Sequence, residues 1–244
     1  MRVSEPRPTA ADLRTYRHRL HRIVEGQHRI STNRLVDDPS QQAVLEALVE
    51  EVKPVLPAAA RGLHYLLATP FRYGHARGSR FRRAGERPGI FYASERVRTA
   101  VAETAYWRLF FFSRSPGVAL PATTTEYTGF SVAVAVDRAL DLEAPPMAAG
   151  RAAWSHPTDY APCQTLAGEA RGIGAQAIRY VSARDSLRGA NIALFDPAGF
   201  HDRRPRFDES WHFRFEAGRL VAFAAFPSPE IHNFTFEQFG LAFA

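Results

Sequence analysis

Four short stretches in the middle of the chain set polar side chains among apolar and aromatic ones. They carry Arg72-Tyr73 in PFRYG, Arg80 in RGSRF, Glu103 in TAVAETAYW and Ser182 in IRYVSAR. Tyr92 lies between the second and third, in the apolar run GIFYAS. Arg72 sits between Phe71 and Tyr73, and Arg80 between Ser79 and Phe81. Arginines set amid aromatics on strand or loop edges are placed to clamp a phosphate through their planar fork. Arg82 and Arg83 read as solvated companions. Glu103 has Thr99 and Trp107 four residues either side, so no basic residue completes a surface i,i+4 pair. Its carboxylate is expected to point into a partly apolar site. Together the set suits an anionic substrate that carries a sugar.

Alone, each member also has a structural explanation. Tyr73 and Tyr92 fit as core aromatics, and Ser182 fits as a capping or turn serine. No G-x-S-x-G elbow surrounds Ser182, so nothing marks it as an acyl-transfer nucleophile. His156, His201, His212 and His232 lack metal-ligand spacing, and no metal is expected. Gly172-Ile173-Gly174-Ala175-Gln176-Ala177 matches the loose G-x-G-x-x-A dinucleotide pattern. A helix is expected before it and a strand after it, the reverse of what that motif requires.

These residues need elements to position them. Thr9 is placed to cap a helix through about Val24, with Asp12 in its first turn. Asp38-Pro39-Ser40-Gln41 has the capping-box arrangement, and Val44, Leu45, Leu48, Val49 and Val52 then recur at helical spacing until Pro54. A third short helix is expected over Ala58 to Leu67. From residue 70 strands alternate with helices. Gly89 to Ala93 reads as a strand, and Ser94 as the cap of a helix to about Phe112. Phe130 to Val136 reads as a strand and Pro162 to Arg171 as a helix ended by Gly172. Ala177 to Ser182 and Ile192 to Phe195 are strands, and Trp211–Phe215 turns at Ala217-Gly218 into Arg219–Phe226. The fold class is α+β, with a mixed or antiparallel sheet.

The chain has 244 residues and a 45% hydrophobic share, enough for a sizeable core. Its net charge of +6 is concentrated in residues 1–34, where eight arginines face only Glu5, Asp12 and Glu25. Such a segment could touch nucleic acid, yet no helix-turn-helix, finger or aromatic-basic stacking motif accompanies it. The single cysteine, Cys163, excludes an intramolecular disulfide and reads as a structural thiol in a reducing cytosol. No signal peptide or membrane-spanning run is visible, and a soluble cytoplasmic protein is expected.

The order Arg-Tyr, G-S-R-F, G-I-F-Y-A-S, T-A-V-A-E and Y-V-S-A-R, followed by Asn191 and Phe195, resembles the RES domain family. The resemblance covers roughly residues 65 to 230 and leaves the first sixty unexplained. Those residues read as a separate helical N-terminal extension (1–64), and the resemblance implies that the remainder (65–244) is a catalytic domain with an ADP-ribosyltransferase-like mixed sheet. Arg80 (or Arg72), Glu103 and Ser182 would be the catalytic counterparts of the family's arginine, glutamate and serine. Arg72, Tyr73, Tyr92 and Asn191 would bind substrate. The resemblance further implies the toxin of a bacterial toxin–antitoxin pair that consumes NAD+ as a substrate, with inorganic phosphate as a candidate co-substrate and no resident cofactor. The partner implied is an Xre-type antitoxin, which itself carries any DNA binding, and a homo-oligomer is compatible with the reading. ADP-ribosylation of a protein, or nucleic-acid binding through the arginine-rich N-terminus, are the alternative functions.

Overall fold

The computed structural model describes residues 5–26 and 38–243. Residues 27–37 and the two ends lie outside this description, and with them Arg2, Arg29 and Arg34 of the basic segment.

The fold is organised by one long strand, β3 (Thr125–Asp141), whose run FSVAVAV supplies the β-branched alternation that favours a pleated surface. Along one edge β3 pairs antiparallel with β1 (Leu13–Glu25), from Leu13 opposite Leu140 to Glu25 opposite Tyr127. β1 also touches β2 (Phe91–Ser94), at His21 opposite Ser94. β2 pairs with β5 (Ala190–Leu194) and β5 with β4 (Ala177–Val181), both antiparallel. β4 then lies parallel to the last residues of β3. The circuit β1–β2–β5–β4–β3 therefore returns to its own start, which removes the open edges that a flat sheet would expose. On the N-terminal half of β3 hang β6 (Arg206–Glu216), β7 (Arg219–Ala224) and β8 (Ile231–Phe234). Ala217 and Gly218 both take positive φ, 46° and 77°, in the two-residue turn joining β6 to β7.

Three apolar clusters hold these layers. One draws Leu20, Phe91, Phe130, Ala177 and Ile192 from all five strands of the circuit, covered by Leu67 and Phe71 of helix α2 (Tyr65–Arg72). A second packs Ala105 and Leu109 of helix α3 (Val97–Ser113) on Trp211, Phe213 and Leu220. The third joins Trp154, from the short helix Arg151–Trp154, and Cys163 and Leu166 of helix Ala161–Gly172 to Tyr180 and Phe195. Burial pushes the Cys163 thiol up, in keeping with an inert structural role.

Several sequence expectations need correction. Residues 13–25 are a strand of the main sheet, not a helix in a separate extension. Thr9 and Asp12 do cap one another, but they close only a 3-10 turn at Ala10–Asp12. The helix expected at Asp38 is present as α1 (Pro39–Val52), with Ser40 donating to the Asp38 carboxylate, but Val44, Leu48 and Val52 face solvent. The helix expected over Ala58–Leu67 splits into a 3-10 turn (Ala58–Ala60) and α2. The inverted order around Gly172–Ala177 is as read: a helix precedes it and β4 follows. Among the described residues no helix is long and apolar enough to cross a membrane.

Candidate functional site

Glu103 lies on the flank of α3, where the Ala-rich run lets the helix approach the sheet closely. Two side chains from other elements converge on one of its oxygens. Ser182, just past β4, donates its hydroxyl to Glu103 Oε1 at 2.7 Å. Asn191, on β5, donates Nδ2 to the same Oε1 at 2.6 Å. Each donor is itself fixed. The Ser182 oxygen accepts the backbone N–H groups of Arg184 and Asp185, both at 3.0 Å. Asn191 Oδ1 accepts from the Ser94 hydroxyl at 2.6 Å. Ser94 thus serves the site from β2 and does not cap α3, whose N-cap is Arg96. Neither of these bonds ends on Oε2, so the second carboxylate oxygen keeps its accepting capacity.

The 182–189 loop that carries Ser182 is tied inward. Asp185 accepts from Thr99 Oγ1 at 2.7 Å and from the N–H of Leu187 and of Gly189, while Ser182 N–H donates to Gly189 O. A Cβ at Gly189 would stand 2.0 Å from Thr99 Oγ1 and 2.7 Å from Asp185 Oδ2. Gly189→Ala is therefore expected to cost about 1–3 kcal/mol of stability and to lower the activity of the site by displacing Ser182. A thermal melt paired with an activity assay checks both.

Glu103 opens onto a cleft of about 270 Å³. Of the residues singled out in the sequence, Arg80, Tyr92, Asn191 and Glu103 line it, and Ser182 bonds to Glu103 without lining it. Arg80 is only 8% exposed and donates Nη1 to the carbonyls of Trp154 and His156, both at 2.9 Å. Its guanidinium lies 4.7 Å from the Tyr160 ring centroid and 6.0 Å from that of Tyr180. One nitrogen is thus committed to holding the 154–160 segment against the cleft. The Tyr92 hydroxyl shares a hydrogen bond with Ser79 Oγ at 2.8 Å and accepts from Phe81 N–H. Burial pushes the Tyr92 and Tyr180 phenols up, so both remain protonated donors.

Two expected binding residues lie elsewhere. Arg72 closes α2 and Tyr73 follows it, its ring tilted against His75, and neither lines the cleft. Arg82, read as solvated, is buried and donates to the carbonyls of Arg77 and Arg83, fixing the turn after Arg80. Arg83 is exposed, as read.

Other cleft residues were missed. Arg184 is buried, stacks on the Tyr106 ring with its Cζ 3.4 Å from the centroid, and donates to Pro157 O and the Tyr160 hydroxyl. Its signal was present, two residues beyond Ser182 in the same YVSAR run. His21 and Arg22 line the cleft from β1, and Tyr160 from the far side. No local pattern marks these three, because only the closed strand circuit and the folded loop bring them in. Burial lowers the His21 imidazole below its usual value and the Arg22 guanidinium to about 10. Glu103 is the sole carboxylate among the described residues that line the cleft, facing Arg22, Arg80 and Arg184. Such a cleft attracts an anion and sets one negative charge at a fixed point within it.

The RES domain family matches residues 56–216, a span that contains Arg80, Tyr92, Glu103, Ser182 and Asn191. No curated protein matches the chain. A chain of the M. tuberculosis MbcT–MbcA toxin–antitoxin complex is similar in structure, at 13% identity and a TM-score of 0.46, over 82% of this chain and 86% of that one. On the extent of the family match, the chain belongs to the RES domain family.

Proposed function

We propose that this protein is a toxin that destroys NAD+ by cleaving the nicotinamide–ribose bond, and that an antitoxin of the Xre type restrains it. The observation that carries the reading is the lone cleft carboxylate, held by Ser182 and Asn191 through Oε1 with Oε2 keeping its accepting capacity. Breaking the nicotinamide–ribose bond sends its electron pair to nicotinamide, a neutral leaving group, and leaves an oxocarbenium-like ribose. A fixed carboxylate stabilises that developing positive charge and can hold the ribose hydroxyls. The surrounding arginines supply the opposite field, suited to the diphosphate. Because Arg80 and Arg184 each have a nitrogen tied to backbone carbonyls, they enter this role already oriented, with little side-chain entropy left to lose on binding.

The acceptor of the ADP-ribosyl group is water or inorganic phosphate in this reading. Product analysis of NAD+ incubated with the purified protein, with and without phosphate, tests it. Free nicotinamide is expected in equal amount to ADP-ribose or to its 1-phosphate. Intact NAD+ under both conditions contradicts the reading, and label transferred from NAD+ to a protein would establish ADP-ribosylation instead.

A further inference from the structure

The cleft at Glu103 is too small for a whole dinucleotide. Its volume of about 270 Å³ falls below the roughly 300–1,000 Å³ of pockets that enclose drug-sized ligands, and NAD+ is larger than most such ligands. A nicotinamide–ribose unit fills this space, so the rest of the molecule must lie beyond it. A second pocket has a volume of about 420 Å³. The two share Arg184 as a common wall.

The second pocket differs in chemistry. Its residues include Arg98, Ser186, Asn233 and Gln238, with Phe234 and Phe239 as aromatic members. Phe239 stacks beside Phe234 at 6.1 Å and meets Tyr106 edge-on at 5.5 Å, and Tyr106 in turn carries the Arg184 guanidinium. Aromatic contacts thus link Arg184 through Tyr106 to Phe239 and Phe234, which line the second pocket. The Asn233 and Gln238 amides each offer both donors and an acceptor, as the edge of a purine requires. Gln238 Oε1 accepts from Thr235 N–H, which leaves its amide hydrogens to donate. Asp185, the one carboxylate among the described residues lining this pocket, already accepts from Thr99, Leu187 and Gly189 and pairs with Arg98 at 3.5 Å. Its charge is therefore answered by partners within the protein.

We propose that this second pocket holds the adenosine end of the dinucleotide, with the diphosphate passing Arg184 between the two halves. The proposal rests on the NAD+ reading of the Glu103 cleft. Asn233, Gln238 and Phe239 lie beyond the residues matched by the family, on the C-terminal strand and turn.

The test compares the wild-type protein with the Asn233→Ala/Gln238→Ala double variant and with Phe239→Ala, all confirmed folded by thermal melting. AMP binding is measured by calorimetry, and kcat/KM is measured for NAD+ and for nicotinamide mononucleotide, which lacks the adenylate half. AMP affinity and the preference for NAD+ over the mononucleotide are each expected to drop about tenfold in both variants, the loss of roughly one good hydrogen bond or ring contact. Unchanged AMP affinity together with an unchanged preference overturns the proposal. Wild-type protein that cleaves neither compound would defeat the NAD+ reading separately. In that case AMP binding lost in the variants still supports a purine-nucleotide pocket, and no AMP binding to the wild type overturns it.

Discussion

Glu103→Gln is expected to leave the fold intact and to reduce nicotinamide release from NAD+ by at least about 10²–10³-fold, the scale seen when one preorganised electrostatic partner of a transition state is removed. The amide oxygen of glutamine can still accept from Ser182 and Asn191, so the network that positions the side chain survives. What disappears is the negative charge opposite the ribose. The loss should fall on kcat and leave KM nearly unchanged, since the charge matters most once the bond has stretched. Steady-state kinetics with a urea melt separates this from unfolding, for the melt should shift by no more than about 0.5 kcal/mol. Ser182→Ala, which removes one of two donors and leaves the carboxylate, should lose far less. Near-wild-type turnover in Glu103→Gln would remove the carboxylate from the mechanism.

The second large effect concerns β1. Leu20 is fully buried in the cluster that all five circuit strands share, and Leu20→Ala is expected to cost about 2–5 kcal/mol. Against a total stability of about 5–15 kcal/mol, that is enough to leave the protein marginal. Removing residues 1–26 should abolish cooperative folding outright, because it opens one whole edge of β3 and exposes the cluster beneath. An arginine-rich arm for nucleic acid would detach without harm. In the structure Arg17 and Arg19 lie 3.8 and 3.4 Å from Asp137 and Asp202, so part of the basic character is answered within the fold. Denaturant melts of the two proteins check this, and a truncated chain that still unfolds cooperatively and cleaves NAD+ would contradict it.

The reason β1 was illegible in the sequence is instructive. Leu20 and Ile23 are three apart, which reads as one face of a helix. In the structure they point to opposite faces of a strand that is covered on both sides only around these two residues, Leu20 into the circuit's interior cluster and Ile23 toward α3 and Trp211. Their strand partner, β3, is over a hundred residues away, so nothing nearby in the chain signals the pairing. The later strands were legible because each alternates or ends at a clear turn, as at Ala217-Gly218.

The site divides along similar lines. Glu103 could be singled out because its helical neighbours offered no ion pair, and Ser182 and Asn191 because they border apolar strands in a recognisable order. Arg72 and Tyr73 satisfied the same local criterion, an arginine amid aromatics, yet α2 holds them away from the cleft. Arg184 and Tyr160 depend on a loop that folds back across the cleft mouth through Arg80 and Arg184 themselves. Local chemistry singled out Glu103 and Arg80, the order of motifs added Ser182 and Asn191, and the rest of the cationic wall required the fold.

The measurement that tests the central claim most directly is a crystal structure of Glu103→Gln with NAD+. The nicotinamide riboside is expected in the cleft, its anomeric carbon facing the position of Oε2, with the diphosphate toward Arg184. NAD+ bound elsewhere on the protein, or nicotinamide turned away from residue 103, would contradict it.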